Sequence, residues 1–175
     1  MKTSIVGILV CFCFIASPSA STADTSPEGS PAKVFQSTLA QVKARTQIPI
    51  LLPSEFPAPI VEKDIHFADG NGKRNKYEIT LYYEEGARDA AFVGYFAGEA
   101  IGKFHAKGKK VNLADGVTGY FKRKSCGGSC SPSQMRWHQD NVLYTLQLKL
   151  AVKTEAEEEQ AVTAAANSAI RGGAR

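Results

Sequence analysis

Apolar and polar residues alternate in several segments after residue 64, which is the pattern of β-strands with one buried face. The longest alternation predicts a strand at 142–150, and a hairpin at 138–141 joins it to a strand carrying Met135 and Trp137. Shorter strands are expected around Ile65 and Phe67, Val111 and Leu113, and Tyr120 and Phe121. One further strand has its apolar side chains at Tyr77, Ile79, Leu81 and Tyr83.

Residues 69–72 (Asp-Gly-Asn-Gly) and 115–116 (Asp-Gly) have the composition of turns. The segment 92–100 fits two kinds of element. The spacing of Phe92 and Phe96 allows a helical stripe, whereas the aromatic residues together with Gly94 and Gly98 favour a strand. We expect the strand.

Helical spacing appears near both ends of the chain. Ser30-Pro31 is typical of a helix start, and the apolar positions that follow predict a helix at about 31–46. Thr154 and Glu157 form the pattern of a capping box before a second helix, which Gly172 is expected to end. The apolar face of this second helix consists of Val162, Ala165, Ala166, Ala169 and Ile170.

These elements predict an α+β fold in which a mainly antiparallel, twisted sheet of about five to seven strands packs against the C-terminal helix. The N-terminal helix is expected nearby. Four prolines at 49–59 exclude a helix there and favour an extended apolar segment across the core, although a proline-rich ligand for an aromatic groove is an alternative. The predicted core contains Leu39, Leu81, Tyr83, Trp137, Tyr144, Leu146, Leu148, Val162 and Ile170.

The N-terminus has the three parts of a secretory signal peptide: a positive charge at Lys2, an apolar run at 5–15, and small residues at 16–23. The run is shorter than the roughly 20 residues that span a bilayer. We expect cleavage after Ala23, with cuts after Ser19 or Ala20 and an uncleaved anchor helix as alternatives. The predicted organisation is a signal peptide at 1–23, a flexible leader at 24–30 and a single domain at 31–175. No transmembrane segment is expected after cleavage, and the protein is predicted to be periplasmic or secreted.

Cleavage would remove Cys11 and Cys13 and leave Cys126 and Cys130 in an oxidising compartment. This pair predicts a structural disulfide. A redox pair is an alternative, but the spacing is C-x3-C, unlike the C-x-x-C of thioredoxin-like sites. A metal site would need two further ligands, and we expect neither a metal nor another cofactor.

The composition is that of an ordinary globular protein, with 175 residues, 43% hydrophobic residues, 22% charged residues and a net charge of +4. Cations cluster in two neighbouring segments, and aromatic residues lie between them. The export signal argues against nucleic acid as the partner. A solvated face is the simplest interpretation of these cations, and contact with an acidic protein or an anionic envelope polymer is the functional alternative. The candidate partner-binding cations are Lys107, Lys109, Lys110, Lys122, Arg123 and Lys124.

The sequence contains no complete catalytic motif. The histidines, at positions 66, 105 and 138, lack the spacing of an H-E-x-x-H site, and no G-x-S-x-G elbow is present. No catalytic residue is therefore predicted, and an enzyme is the less favoured class.

Several short motifs occur together in one order: the proline segment at 46–53, the strand at 117–121, the cysteine pair at 126–130, the hairpin with Trp137 and Tyr144, and the closing helix at 166–170. In this order the chain resembles a group of small exported bacterial proteins of unknown function. It is also similar to the sensor-like C-terminal domain of some anti-sigma-type envelope proteins. The resemblance covers most of 46–170 and implies no catalytic residues.

Three functions remain open from the sequence. The first is a non-enzymatic exported protein that binds another protein or an envelope component, in a specific version an inhibitor or immunity protein. The second is an envelope-stress or lipid-sensing module, which predicts an apolar pocket between sheet and helix. The third is an enzyme whose site would bring a histidine to an acid or a serine.

Overall fold

The computed structural model describes residues 29–60, 64–86 and 89–175, and within them a seven-stranded sheet packs against helices on one face. The expected signal peptide and most of the expected leader lie outside the described residues. Every pair of neighbouring strands is antiparallel, so the predicted α+β class with an antiparallel sheet and a C-terminal helix is confirmed.

The strands are β1 (Phe67–Lys73), β2 (Lys76–Tyr82), β3 (Phe92–Ala100), β4 (Lys109–Asn112), β5 (Thr118–Lys122), β6 (Ser125–Cys126), β7 (Cys130–Ser131), β8 (Ser133–Gln139) and β9 (Val142–Leu148). The order in the main sheet is β1-β2-β3-β9-β8-β5-β4, while β6 and β7 form a separate two-stranded hairpin. The helices are α1 (Gln36–Lys43) and α2 (Glu155–Gly172). The ambiguous segment 92–100 is a strand, as expected.

The predicted turn at 69–72 is wrong, because these residues lie inside β1 and pair with β2 from Asp69↔Thr80 to Gly72↔Tyr77. The reason is packing. A Cβ atom on Gly70 would collide with Thr38 and Val42 of α1, so glycine here lets the helix approach the sheet closely. The hairpin turn lies further along, between Lys73 and Lys76.

The N-terminal helix is shorter than the predicted 31–46. A 3-10 turn at Lys33–Phe35 precedes α1, which ends at Lys43. After the helix, the Gln47 N–H donates a hydrogen bond to the carbonyl of Arg74, which ties this segment to the β1–β2 turn.

Most of the proline segment at 46–53 is part of the core. Ile50 and Leu52 are almost fully buried. The Leu51 N–H donates to the Tyr77 hydroxyl at 3.1 Å, and the Tyr144 hydroxyl donates to the Pro49 carbonyl at 3.0 Å. This arrangement agrees with the expected extended segment across the core rather than with an exposed ligand.

The start of α2 has the predicted capping box. The Thr154 hydroxyl accepts from the Glu157 N–H at 3.2 Å, and the Glu157 carboxylate accepts from the Thr154 N–H at 2.9 Å. The backbone and side-chain hydrogen bonds from Thr154 lower the pKa of Glu157. The predicted face of the helix is buried in full, because its alanines allow close contact with the sheet: Val162, Ala165, Ala166, Ala169 and Ile170.

The predicted core is correct except at two positions. Tyr83 follows the end of β2 and is exposed at 38%, because the chain leaves the sheet before the alternation in the sequence ends. Leu39 is only partly buried and packs against the edge of the core. The other predicted members are buried: Leu81, Trp137, Tyr144, Leu146, Leu148, Val162 and Ile170.

Candidate functional site

The register of the sheet separates a core face from an outer face. Across the sheet, Ile79, Phe96, Leu146, Met135 and Phe121 follow one another on the core face, beneath the helices. The neighbouring rows point the other way, and among the described residues no helix covers them. This outer face has two central rows: Asp69, Thr80, Tyr95, Gln147, Gln134 and Lys122, and Asn71, Glu78, Ala97, Thr145, Arg136, Tyr120 and Lys110.

The two ends of the outer face differ in whether they carry acids. Strands β4, β5, β8 and β9 contain no Asp or Glu, and Lys110, Lys122 and Arg136 lie on the outer face of the first three. At the other end, β1 and β2 carry both acids and lysines on this face: Asp69, Glu78, Lys73 and Lys76. We call the end formed by β4, β5 and β8 the basic half. It is a surface on which an acidic group of a partner would be attracted.

An aromatic cluster lies on the basic half. Phe104, from the loop 101–108, folds onto the sheet with its ring edge-to-face to Tyr120, at 5.5 Å between centroids, and stacked on His138 at 6.4 Å. The Arg136 guanidinium lies 5.1 Å from the centre of the Phe104 ring, within the range of a cation–π contact. The cluster is half-buried, so it orients the arginine while leaving it accessible.

The middle of the outer face is polar and half-buried. Gln134 donates to the Tyr95 hydroxyl at 3.4 Å, and Gln147 donates to the Pro132 carbonyl at 3.3 Å. Burial raises the pKa of Tyr95, so the hydroxyl stays protonated over the physiological range. Tyrosine and amide side chains of this kind bury apolar area and offer hydrogen bonds to a partner at the same time.

The six cations predicted as a partner site do not form one patch. Lys110 and Lys122 lie on the outer face, whereas Lys109 points to the other side and binds Glu159 of α2 at 2.7 Å. Arg123 binds Glu155 at 3.1 Å. Lys107 is exposed in the loop after β3, and Lys124 is exposed after β5.

The acidic first turns of α2 explain why some of these cations pair within the fold. Glu155, Glu158 and Glu159 reach the end of the β4–β5 hairpin and the start of β8. Glu158 accepts hydrogen bonds from the Lys124 N–H at 3.1 Å and from the Ser133 hydroxyl at 2.6 Å. Glu159 raises the pKa of Lys109 through its hydrogen bond and its charge. Part of the cationic character of this sequence region is thus neutralised within the fold.

The cysteine pair closes the β6–β7 hairpin, with an S–S distance of 2.15 Å between Cys126 and Cys130. All residues of the hairpin are exposed. Within the described part of the chain, no three His, Cys, Asp or Glu side chains lie together in a way that could hold a metal ion.

The histidines lie in three different surroundings. His66 precedes β1, His105 is exposed in the loop 101–108, and His138 lies under Phe104 with its Nε2 atom buried. Among the described residues, no hydrogen bond joins a histidine ring to an acid or a serine. The enzyme hypothesis therefore gains no assembled site from the described part of the chain.

Arg136 is the important outer-face residue that the sequence analysis missed. The pattern that could have predicted its position lies in β8, where polar residues alternate with the buried Met135 and Trp137. A cation between two core positions of a strand must point to the opposite face, which is where Lys110 and Lys122 also lie.

Among the described residues, no helix has the length and apolar character needed to cross a membrane. Comparison of the chain with known protein families, with curated proteins and with solved structures found no match. The functional assignment therefore rests on the geometry of the chain itself.

Proposed function

We propose that this protein is an exported, non-enzymatic binding protein that holds an acidic partner protein against the outer face of its sheet. The observation that supports this function best is the outer face, which no helix among the described residues covers and whose β4, β5 and β8 end carries cations without acids. The proposed compartment rests on the signal-like N-terminus and on the cysteine pair.

The dimensions of the outer face suit a protein partner. The seven strands of the main sheet are four to nine residues long. At about 4.8 Å between strands and about 3.3 Å per residue, they span roughly 700 Å². A standard protein–protein interface takes about 800 Å² from each partner. The outer face together with the loop 101–108 approaches that size.

The chemistry of the face also fits. The aromatic cluster at Phe104 supplies the kind of anchor that carries binding energy, and Arg136 and the neighbouring lysines supply charge complementarity. An inhibitor or immunity protein is the specific version of this proposal, because such a protein forms a stoichiometric complex and needs no catalytic groups of its own.

Site-specific photo-crosslinking tests the proposal. The experiment uses residues 24–175, which contain every described element. A photoreactive amino acid replaces Thr145, which lies in the middle of the outer face. A matched control places it at Ala164, an exposed position on α2. After incubation with native envelope and secreted fractions at physiological salt, we expect one protein crosslinked from position 145 and not from position 164.

Equal crosslinking from both positions would contradict the proposal, because it would show contact without a preference for the outer face. Crosslinking from position 164 alone would move the partner site to the helical side. Identification of the crosslinked protein as a hydrolase or toxin would support the inhibitor version.

A further inference from the structure

A cavity of about 590 Å³ lies at one end of the sheet, where four adjacent strands begin or end. Phe92 begins β3, Leu150 follows β9, Ser133 begins β8 and Lys124 follows β5. The β6–β7 hairpin contributes Cys130 to its wall. The volume is within the range of about 300–1,000 Å³ that is typical of small-molecule sites.

This cavity is not the pocket that a lipid-sensing module was expected to have. That pocket was predicted between sheet and helix, where Leu146, Ala165 and Ala166 are fully buried and in close contact. None of the residues that line the cavity belongs to the two central rows of the outer face.

One part of the cavity wall is apolar. Phe92 and Pro132 are half-buried, and Leu150 is buried. The Phe92 ring lies edge-to-face with Tyr82 at 6.5 Å between centroids, which fixes the orientation of the ring. A hydrocarbon chain in contact with these three side chains would be removed from water.

The other part of the wall carries two cations. Lys124 and Lys149 both line the cavity and are both exposed. The Lys149 ammonium has a long hydrogen bond of 3.4 Å to the Ala90 carbonyl, and the Lys124 ammonium forms no ion pair among the described residues.

One acidic side chain contacts this wall and is held there by hydrogen bonds. A Glu158 carboxylate oxygen accepts hydrogen bonds from the Ser133 hydroxyl at 2.6 Å and from the Lys124 N–H at 3.1 Å. Among the described residues, neither the Lys124 nor the Lys149 ammonium forms an ion pair with Glu158 or another acid.

From this juxtaposition we propose that the cavity binds a single-chain amphiphile with an anionic head group. The hydrocarbon chain packs against Phe92, Pro132 and Leu150, and the head group lies between Lys124 and Lys149. This site goes beyond the proposed partner binding and does not depend on it.

Calorimetric titration of residues 24–175 tests the site, with the disulfide intact and bound lipid removed. Three probes separate the parts of the ligand: dodecanoate has chain and charge, dodecanol has the chain alone, and acetate has the charge alone. We expect one dodecanoate per protein, at least tenfold weaker binding of dodecanol and no measurable binding of acetate.

Paired variants locate the charge. The double substitution Lys124→Gln and Lys149→Gln should raise the Kd for dodecanoate about tenfold. The Kd for dodecanol should stay the same, because dodecanol carries no charge. The matched control, Lys110→Gln and Lys122→Gln, removes the same charge from the outer face and should change the Kd by less than twofold. All four lysines are exposed, so both variants are expected to fold.

Three results would overturn the proposal. They are no saturable binding of dodecanoate below its micellar concentration, an equal loss of affinity in both double variants, and acetate binding as tightly as dodecanoate. Amide chemical-shift changes give a second readout: they should appear at Phe92, Ser133 and Leu150, and their appearance at Thr145 instead would place the ligand on the outer face.

Discussion

Replacing Gly70 by alanine tests the packing of α1 against the sheet. An added Cβ would collide with Thr38 and Val42, which are 5% and 0% exposed. The backbone at Gly70 does not have the positive φ that disfavours other residues, so the effect of this substitution is steric.

The expected magnitude follows from two opposing effects. Overpacking a well-filled core costs about 1–3 kcal/mol. Alanine also restricts the conformations of the unfolded chain, and this offsets about 0.4–1 kcal/mol of the steric cost. The net loss of unfolding free energy should be about 1–2 kcal/mol.

Urea unfolding followed by Trp137 fluorescence measures this loss, because the protein has one tryptophan and it is 2% exposed. With a slope of about 2 kcal/mol per molar urea, the midpoint should fall by about 0.5–1 M. The control Gly102→Ala adds a methyl group where no atom lies within 4 Å, and it should leave the midpoint unchanged or raise it slightly.

An unchanged or higher midpoint for Gly70→Ala would refute this reasoning. It would mean that residue 70 does not face the helix and that 69–72 forms the exposed turn its composition suggests.

Three further perturbations have defined outcomes in the same unfolding assay. Tyr77→Phe leaves a backbone N–H of the proline segment without its acceptor and should cost about 1–3 kcal/mol. Burial raises the pKa of Tyr77, and it raises that of Tyr144 to about 12. The wild type should therefore lose stability as the pH rises above about 10, and Tyr77→Phe should lose less; equal pH dependence in both would contradict this account. Thr154→Ala removes the helix cap and should cost about 1 kcal/mol, whereas no loss would argue against the capping box. Reduction of Cys126–Cys130 should cost about 2 kcal/mol at most because the loop is short, and a much larger loss would show that the hairpin supports the core.

The strands and α2 could be predicted from the sequence because their signals are local. Alternation placed β2, β8 and β9, and the Thr154 capping box placed the start of α2. Tyr83 was assigned to the core wrongly because alternation does not show where a strand ends.

Residues 69–72 were misread for a different reason. Their composition is that of a turn, but the contact with α1 decides their conformation, and that contact joins residues about 30 positions apart in the chain. Local composition does not contain this information.

The candidate site was predicted only in part. Neighbouring lysines in a sequence look like one patch, yet consecutive strand residues point to opposite faces, so Lys109 and Lys110 separate. The acids that neutralise Lys109 and Arg123 come from α2, much later in the chain. The position of Phe104 over Arg136 likewise depends on how a loop folds back.

The most direct test of the central claim is the affinity of the partner protein for charge-reversed variants of the outer face. The test variant carries Lys110→Glu and Lys122→Glu, which reverse two exposed cations of the basic half. The control variant carries Lys43→Glu and Arg45→Glu, which make the same change in charge at the end of α1 and just after it. At physiological salt, we expect the first pair to weaken binding at least tenfold and the second to change it less than twofold. Equal effects of both pairs, or no effect of the first, would contradict the assignment of the outer face as the partner site.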